Sequence, residues 1–303
     1  MEFPLVTFVS PCYNHSKYII ESLDSIRNQT YPNIEHIIID DCSKDDSVAI
    51  IEDWIRKHNY KCTFIKHSSN KGISYTLNES IRMAKGEFWT GLATDDFIVP
   101  DRTSKFVKFL QHDPTLLMVV SDCKLINSQS EVIKINGTDS LIELNLITKE
   151  LSFENDFGTY PSLLASNHIS PNLMCRRKTF DIVGLYDENL GFEDWDMWLR
   201  ISVEKRIGAI KEYLCFYRVH NMNSSKGIDF FNNNEVLSIF LKQYKPSKKR
   251  GYRKEYEELY ENFYFRHYFN PFKKPKFLWH FIQTGPPLLF VKVIFKKIWQ
   301  RIF

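Results

Sequence analysis

Val6-Thr7-Phe8-Val9-Ser10-Pro11-Cys12-Tyr13-Asn14 begins as a β-rich apolar run, Leu5–Ser10, and then turns polar. Downstream, Ile19, Leu23 and Ile26 recur at helical spacing within Ser16–Asn28, and Glu35–Asp40 is again a β-branched run. Strand, helix and strand in that order make a β-α-β unit. The alternation continues with a helix over Ser47–His58, a strand over Cys62–Lys66, a helix over Ser74–Ala84 and a strand over Phe88–Leu92. Parallel strands joined by crossover helices are the expected consequence, and hence an α/β fold. Beyond Asp101 the pattern loosens into a helix over Arg102–Gln111, a strand near Leu117–Ser121 and a weakly periodic stretch to about Asn172. A helix from about Glu193 and a strand-like Glu212–Val219 follow, and past Gly227 the chain reads as helices.

Open sheets of this kind bind ligands beyond the carboxyl ends of their strands, so the residues just past each strand carry the functional reading. They are polar here: Pro11, Tyr13 and Asn14 after the first strand, Asp40, Asp41 and Ser43 after the second, Thr94, Asp95 and Asp96 after the fourth. Asp95 and Asp96 repel each other and have no cation as a sequence neighbour. A hard divalent ion such as Mg²⁺ or Mn²⁺ would relieve that repulsion and bind phosphate oxygens at the same time. The competing reading is that one of the pair caps the helix starting near Arg102. Asp41 is placed to accept a hydrogen bond from a base N–H or a ribose hydroxyl, while Ser43 and Asp45 read as helix caps. Tyr13 offers a ring for stacking on a base, or a packed aromatic. Lys71, in Asn70-Lys71-Gly72, supplies a turn and a cation at the same sheet edge without forming a Walker loop.

Gly191-Phe192-Glu193-Asp194-Trp195-Asp196 sets three carboxylates at the start of an amphipathic helix, where the macrodipole favours negative charge. Trp195 and Trp198 beside them suggest a sugar-sized, partly apolar cleft in which a desolvated carboxylate suits proton abstraction. His220 reads as a metal or phosphate contact or as a satisfied structural histidine.

The 303 residues carry a formal charge of only +3, but the distribution is uneven: Lys242–Phe303 holds 15 Lys and Arg against four Asp and Glu. Two regions follow, residues 1–228 and a basic, helical 229–303. On a helical wheel, residues 288–303 place Lys292, Lys296, Lys297 and Arg301 on one half and Val291, Ile294, Phe295, Ile298, Trp299 and Ile302 mostly on the other. That suits an anionic membrane surface, with a helix packed on the body or on a partner chain as the alternative. Nucleic acid is not an expected partner, because no recognition motif accompanies the basic residues. The six cysteines lie far apart with no C-x-x-C pair, and the start MEFPLVTFVS has no signal-peptide pattern. No run reaches the roughly 20 apolar residues of a membrane span. The expected location is cytoplasmic, peripheral at the inner face of the cell membrane.

Together these residues resemble the family 2 glycosyltransferases. The resemblance covers about residues 4–225 and rests on Val6 to Asn14, Ser25-Ile26-Arg27-Asn28-Gln29-Thr30-Tyr31-Pro32, Asp40-Asp41-Cys42-Ser43, Asn70-Lys71-Gly72, Ala93-Thr94-Asp95-Asp96, Gly184 to Glu188 and Glu193-Asp194-Trp195-Asp196. It implies the GT-A fold, a Rossmann-like, mostly parallel sheet flanked by helices, here with a C-terminal helical basic extension. It further implies that Tyr13 and Asp41 contact the base, with Pro11, Asn14 and Lys71 at the same nucleotide site, that Asp95 contacts the ribose or metal, and that Asp96 binds the metal. His220 resembles a histidine found after the family's last core strand, and Glu193 and Trp195 lie on the acceptor side. Asp194 would be the general base of an inverting, Mn- or Mg-dependent transfer from a nucleotide-sugar donor, UDP-linked first of all, to a saccharide or lipid-linked acceptor of a surface polysaccharide. Cys42 departs from the family pattern, in which Gly or Asn is more usual. A non-catalytic nucleotide-sugar-binding protein recruited to the membrane is the first alternative, disfavoured by Glu193-Asp194. A nucleotidyltransferase is the second, disfavoured by the lack of a glycine- and basic-rich triphosphate loop.

Overall fold

The structure, a computed structural model, describes residues 3–147, 151–220 and 234–260. Its first half follows the alternating pattern closely: β1 Val6–Cys12, α1 Ile19–Arg27, β2 Ile34–Asp40, α2 Ser47–His58, β3 Thr63–Lys66, α3 Ile73–Met83 and β4 Phe88–Gly91. These four strands run parallel, with β1 between β2 and β4 and β3 outside β2. Burial on both faces explains the apolar runs of β1 and β2: Val6, Phe8, Val9, Ile37, Ile38 and Ile39 are each at most 1% exposed. Side chains of that size contribute about 1.5–3 kcal/mol each when fully buried.

The second half is β5 Phe97–Ile98, α4 Arg102–His112, β6 Met118–Ile126, α5 Leu141–Ile147, α6 Tyr160–Ala165, β7 Leu173–Arg176, α7 Thr179–Val183, α8 Glu193–Glu204, β8 Gly208–Arg218, α9 Asn234–Lys242, α10 Tyr244–Lys249 and α11 Arg253–Leu259. The whole sheet has eight strands in the order β3-β2-β1-β4-β7-β6-β8-β5. It is mostly parallel, as expected, with β7 antiparallel to β4 and β6, and β5 to β8. Inserting β7 between β4 and β6 lets β6 and β8 run in the same sense as β4. The ends of β1, β2, β4 and β8 therefore open on one edge of the sheet.

Helices α9 to α11 pack into the same core as α6 and α8: Val236, Ile239, Phe240 and Tyr256 are buried together with Leu163, Trp195 and Leu199. The expected boundary at 228 and the amphipathic segment 288–303 lie outside the described residues. Among the described residues no helix is long and apolar enough to cross a membrane, and all six cysteines are free thiols.

Candidate active site

The turn after β4 puts Thr94, Asp95 and Asp96 at the open edge, where the Thr94 hydroxyl donates to the Pro11 carbonyl (3.3 Å) and ties this turn to the end of β1. Neither acid caps α4. That helix begins after Asp101, whose own side chain makes no capping bond. Both acids are instead held from β8. The backbone N–H of Arg218 donates to Asp96 Oδ1 (2.8 Å), and the Arg218 guanidinium donates to the Asp95 carbonyl (2.8 Å). Two positions on, His220 Nε2 lies 3.0 Å from Asp95 Oδ2, and His15 Nε2 lies 3.8 Å from the same oxygen. Arg218 is itself buried at 1% exposure, lies over the Tyr18 ring and pairs with Glu21 at 2.5 Å, so β8 and α1 are locked beneath the acids.

The two carboxyl groups are driven apart. Burial pushes Asp96 well above the usual carboxylate range, and the charge of Asp95 adds to that. Burial opposes ionisation of Asp95 too, but the His220 hydrogen bond and the charge of His15 outweigh it and hold Asp95 below that range. Among the described residues no group of three or more His, Cys, Asp and Glu converges as a cage for an ion. A cation whose remaining ligands are phosphate oxygens and water needs no such cage.

At the ends of β1 and β2 the backbone is strained, with left-handed φ of 58° at Asn14 and 64° at Cys42. The Asn14 N–H donates to Ser43 Oγ (2.9 Å), and Asn14 Oδ1 accepts from the Lys44 N–H (2.7 Å). Ser43 does not cap a helix as expected. Its hydroxyl donates to Asp40 Oδ2 (2.5 Å), so it joins the two strand ends. Asp45 does act at the start of α2, accepting from the N–H of Ser47 (3.0 Å) and from that of Ser16 (3.0 Å). The Tyr13 ring remains 43% exposed beside this loop. Asp41 is 5% exposed, and it accepts from the N–H of Lys71 (2.7 Å), the N–H of Gly72 (2.8 Å) and His67 Nδ1 (2.7 Å). The Lys71 ammonium projects 5.9 Å from the Tyr75 ring.

The third group of acids lies at the first turn of α8. Asp194 Oδ1 accepts from the N–H of Trp195 (2.6 Å), and Oδ2 accepts from the Asn167 amide (3.0 Å). Burial, then the charge of Asp194, raises the Glu193 carboxyl to about 8. Trp195 is a correction to the expected apolar cleft. It is 0% exposed and its indole donates to the Leu163 carbonyl (2.7 Å), while Trp198 is 3% exposed. Both rings are core, and neither lines a cleft. From this end a chain of contacts reaches β6: Asn167 touches Asp194, and three residues on Ser170 Oγ lies 3.1 Å from Cys123 Sγ.

The structure thus brings Pro11, Asp95, Asp96 and His220 together, groups Asn14, Asp41 and Lys71 at the neighbouring strand ends, and sets Glu193 and Asp194 on α8. Sequence reasoning did not single out His15, Glu21, His67, Glu79 or Asn167, although His15 directly follows the Tyr13-Asn14 turn.

Strand order, flanking helices and an acid pair at the strand ends define a GT-A glycosyltransferase fold, and solved structures of that kind superpose on the chain. TarS of S. aureus in complex with UDP-GlcNAc matches with a TM-score of 0.65 at 18% identity, covering 94% of this chain and 82% of that one. The mannosyltransferase PcManGT of Pyrobaculum calidifontis, in complex with GDP-Man and Mn²⁺, matches with a TM-score of 0.61 at 19% identity, covering 100% of this chain and 82% of that one. Residues 7–157 match the model of Glycosyl transferase family 2, and through them the chain belongs to that family. Over 256 residues the chain is 28% identical to the chondroitin synthase of Escherichia coli, covering 80% of this chain but 34% of that protein. The chain therefore spans about a third of the length of that curated relative.

Proposed function

We propose that the chain transfers a sugar from a nucleoside-diphospho-sugar to a hydroxyl of a saccharide or lipid-linked saccharide, inverting the anomeric configuration. The buried pair Asp95-Asp96, beside the ends of β1 and β2 and held by Arg218 and His220, carries this reading. Two adjacent buried carboxyl groups, one of them kept from ionising by burial and by its neighbour, form an oxygen-rich donor set suited to Mn²⁺ or Mg²⁺. Asp96 and His220, with Asp95, would hold the ion. The chemistry a cation supplies at such a site is neutralisation of charge on the departing diphosphate. TarS, solved with UDP-GlcNAc, and PcManGT, solved with GDP-Man and Mn²⁺, support a nucleotide sugar and a divalent ion.

The remaining steps belong to the chain's own residues. Tyr13 and Asp41 hold the base, with Asn14 and Lys71 shaping its loop. Burial raises the Glu193 carboxyl to about 8, so Glu193 holds a proton at neutral pH and can donate, and Asp194 is taken as the base of the pair. Asp194, oriented by Asn167, takes the acceptor hydroxyl proton while that oxygen bonds to the anomeric carbon. The bond from that carbon to the diphosphate oxygen breaks on the opposite face, and a single displacement of this kind inverts. The basic, amphipathic 288–303 supports a peripheral site of action on an anionic membrane face, as in the assembly of a surface polysaccharide.

Calorimetry of the full chain with nucleoside diphosphates, in Mn²⁺ and again in EDTA, tests the reading. Binding that requires the metal is expected. Equal affinity with and without chelator removes the metal from the site, and failure of every nucleoside diphosphate to bind removes the reading itself.

A further inference from the structure

His67 lies at the end of β3, 7% exposed in its side chain, with both ring nitrogens engaged by carboxylates: Nδ1 with Asp41 Oδ1 (2.7 Å) and Nε2 with Glu79 Oε2 (2.9 Å). A carboxylate has about four lone-pair positions, two on each oxygen. On Asp41, Oδ1 already accepts from His67 and from the Lys71 N–H, whereas Oδ2 accepts only from the Gly72 N–H. Among the described residues, one acceptor position on Oδ2 is left. Without His67 the carboxylate would offer one position on each oxygen.

We propose that His67 is a specificity-determining residue, which by occupying Asp41 Oδ1 restricts the site to a base presenting a single N–H. The inference rests on Asp41 meeting the base, as proposed above. Uracil presents one such donor, N3–H between two carbonyls. Guanine presents N1–H and an N2 amino hydrogen side by side, and both carboxylate oxygens are needed to pair them. Guanine in this site leaves one buried N–H without an acceptor, which disfavours it by about tenfold or more.

The arrangement depends on the charge of the imidazole. Donation to two carboxylates at once requires both ring nitrogens to carry hydrogen. Around His67 are Asp41 from the end of β2, Glu79 and Tyr75 from α3, and Lys71 from the intervening loop, its ammonium directed at Tyr75. Burial opposes the charged imidazole, but the bonds to the two acids outweigh it and raise its titration above the ordinary histidine value. Stability of this contact is complete below that ordinary value and is lost as pH rises through the raised one. A neutral ring keeps one bond and turns a lone pair toward the other acid.

The test is the ratio of UDP to GDP affinity, measured by calorimetry on the full chain in Mn²⁺. The unmutated chain is expected to bind UDP at least about tenfold tighter at pH 6.5, with the ratio declining by pH 8.5. His67→Leu frees a position on Oδ1, and the ratio is expected to fall to about threefold or less. Glu79→Gln lets a neutral His67 accept from the new amide while still donating to Asp41, so the ratio stays high and loses its pH dependence. An unchanged ratio in His67→Leu, or a parent chain that binds GDP as tightly as UDP, overturns the assignment. If His67→Leu fails to fold, the parent's ratio and its pH dependence decide. Asp41→Ala separates the two readings. Weakened UDP binding there with an unmoved ratio in His67→Leu sinks only the role of His67, whereas unchanged UDP binding in Asp41→Ala removes the base site as well.

Discussion

The ends of β2 and β4 and the start of α8 both present carboxylates that accept from backbone N–H groups, but the loop leading to α8 depends in addition on a remote helix. At the strand ends, Asp41 and Asp96 accept from backbone N–H groups of Lys71, Gly72 and Arg218. Around the start of α8, the loop that carries the acids is secured by side chains of a helix some 40 positions on. Glu235 accepts from the Gly191 N–H (2.9 Å), and Lys242 pairs with Asp187 and lies 3.9 Å from Asp196. Backbone donors move only with the chain that carries them, while a lysine on α9 can release. On the proposed reading, the site combines a rigid end that grips the nucleotide with an end, held in part by α9, that admits the acceptor.

If the two ends divide binding from chemistry, Asp194→Asn separates them most sharply. Transfer is expected to fall by roughly 10²–10⁴, the contribution of a positioned general base, with nucleotide affinity unchanged by calorimetry. Loss of nucleotide binding in parallel would collapse the two ends into one. Asp96→Asn addresses the rigid end, keeping an oxygen for the Arg218 N–H while removing the carboxyl group that a bound cation would ionise. Nucleotide affinity in Mn²⁺ is expected to drop at least about tenfold, toward that of the parent chain in EDTA. Persistence of the full metal effect would move the ion elsewhere.

The rigid end is also the more legible in sequence. Strands β1 to β4 lie within two residues of their expected limits, and β1 and β2 are the clearest because their apolar runs are buried on both faces. Asp95 and Asp96 follow from the rule that ligands sit past strand ends. What was not legible depends on partners remote in sequence. Strand β5 has two residues and exists through pairing with β8, where Phe97 stacks on Phe216 with ring centroids 4.4 Å apart. Arg218 reads as one cation in a strand until Glu21, 197 positions away, and the Asp95 carbonyl close around it. Trp195 reads as a cleft residue next to acids, yet the helix turns its ring inward onto Leu163 while Asp194 stays at the first turn. Local pattern specifies which residues carry charge, and tertiary packing decides which of them face the ligand.

Lys242→Met tests the end set by α9, because methionine keeps an unbranched apolar stem and removes the ammonium. Lys242 is 39% exposed in its side chain, so the ion pair is screened and its loss is modest. Transfer is expected to fall roughly two- to fivefold without change in nucleotide affinity. A wholly silent variant would mean that α9 packs beside the acceptor loop without positioning it.

The smallest effect sharpens the rigid end. Cys42 holds a left-handed φ of 64° between Asp41 and Ser43, a conformation costing a side-chain-bearing residue about 1–2 kcal/mol that glycine adopts freely. Glycine in turn gives the unfolded chain more freedom, offsetting about 0.5–1 kcal/mol of that gain. The half-buried Cys42 thiol accepts from the exposed Lys44 ammonium at 3.2 Å, a contact that contributes little. Cys42→Gly is therefore expected to raise stability by up to about 1 kcal/mol, or roughly 2 °C in the thermal midpoint, with nucleotide affinity unchanged. A gain in stability accompanied by weaker nucleotide binding would show that the strain at Cys42 preorganises Asp41, and that the rigid end owes its grip to the turn as well as to the N–H donors of Lys71 and Gly72.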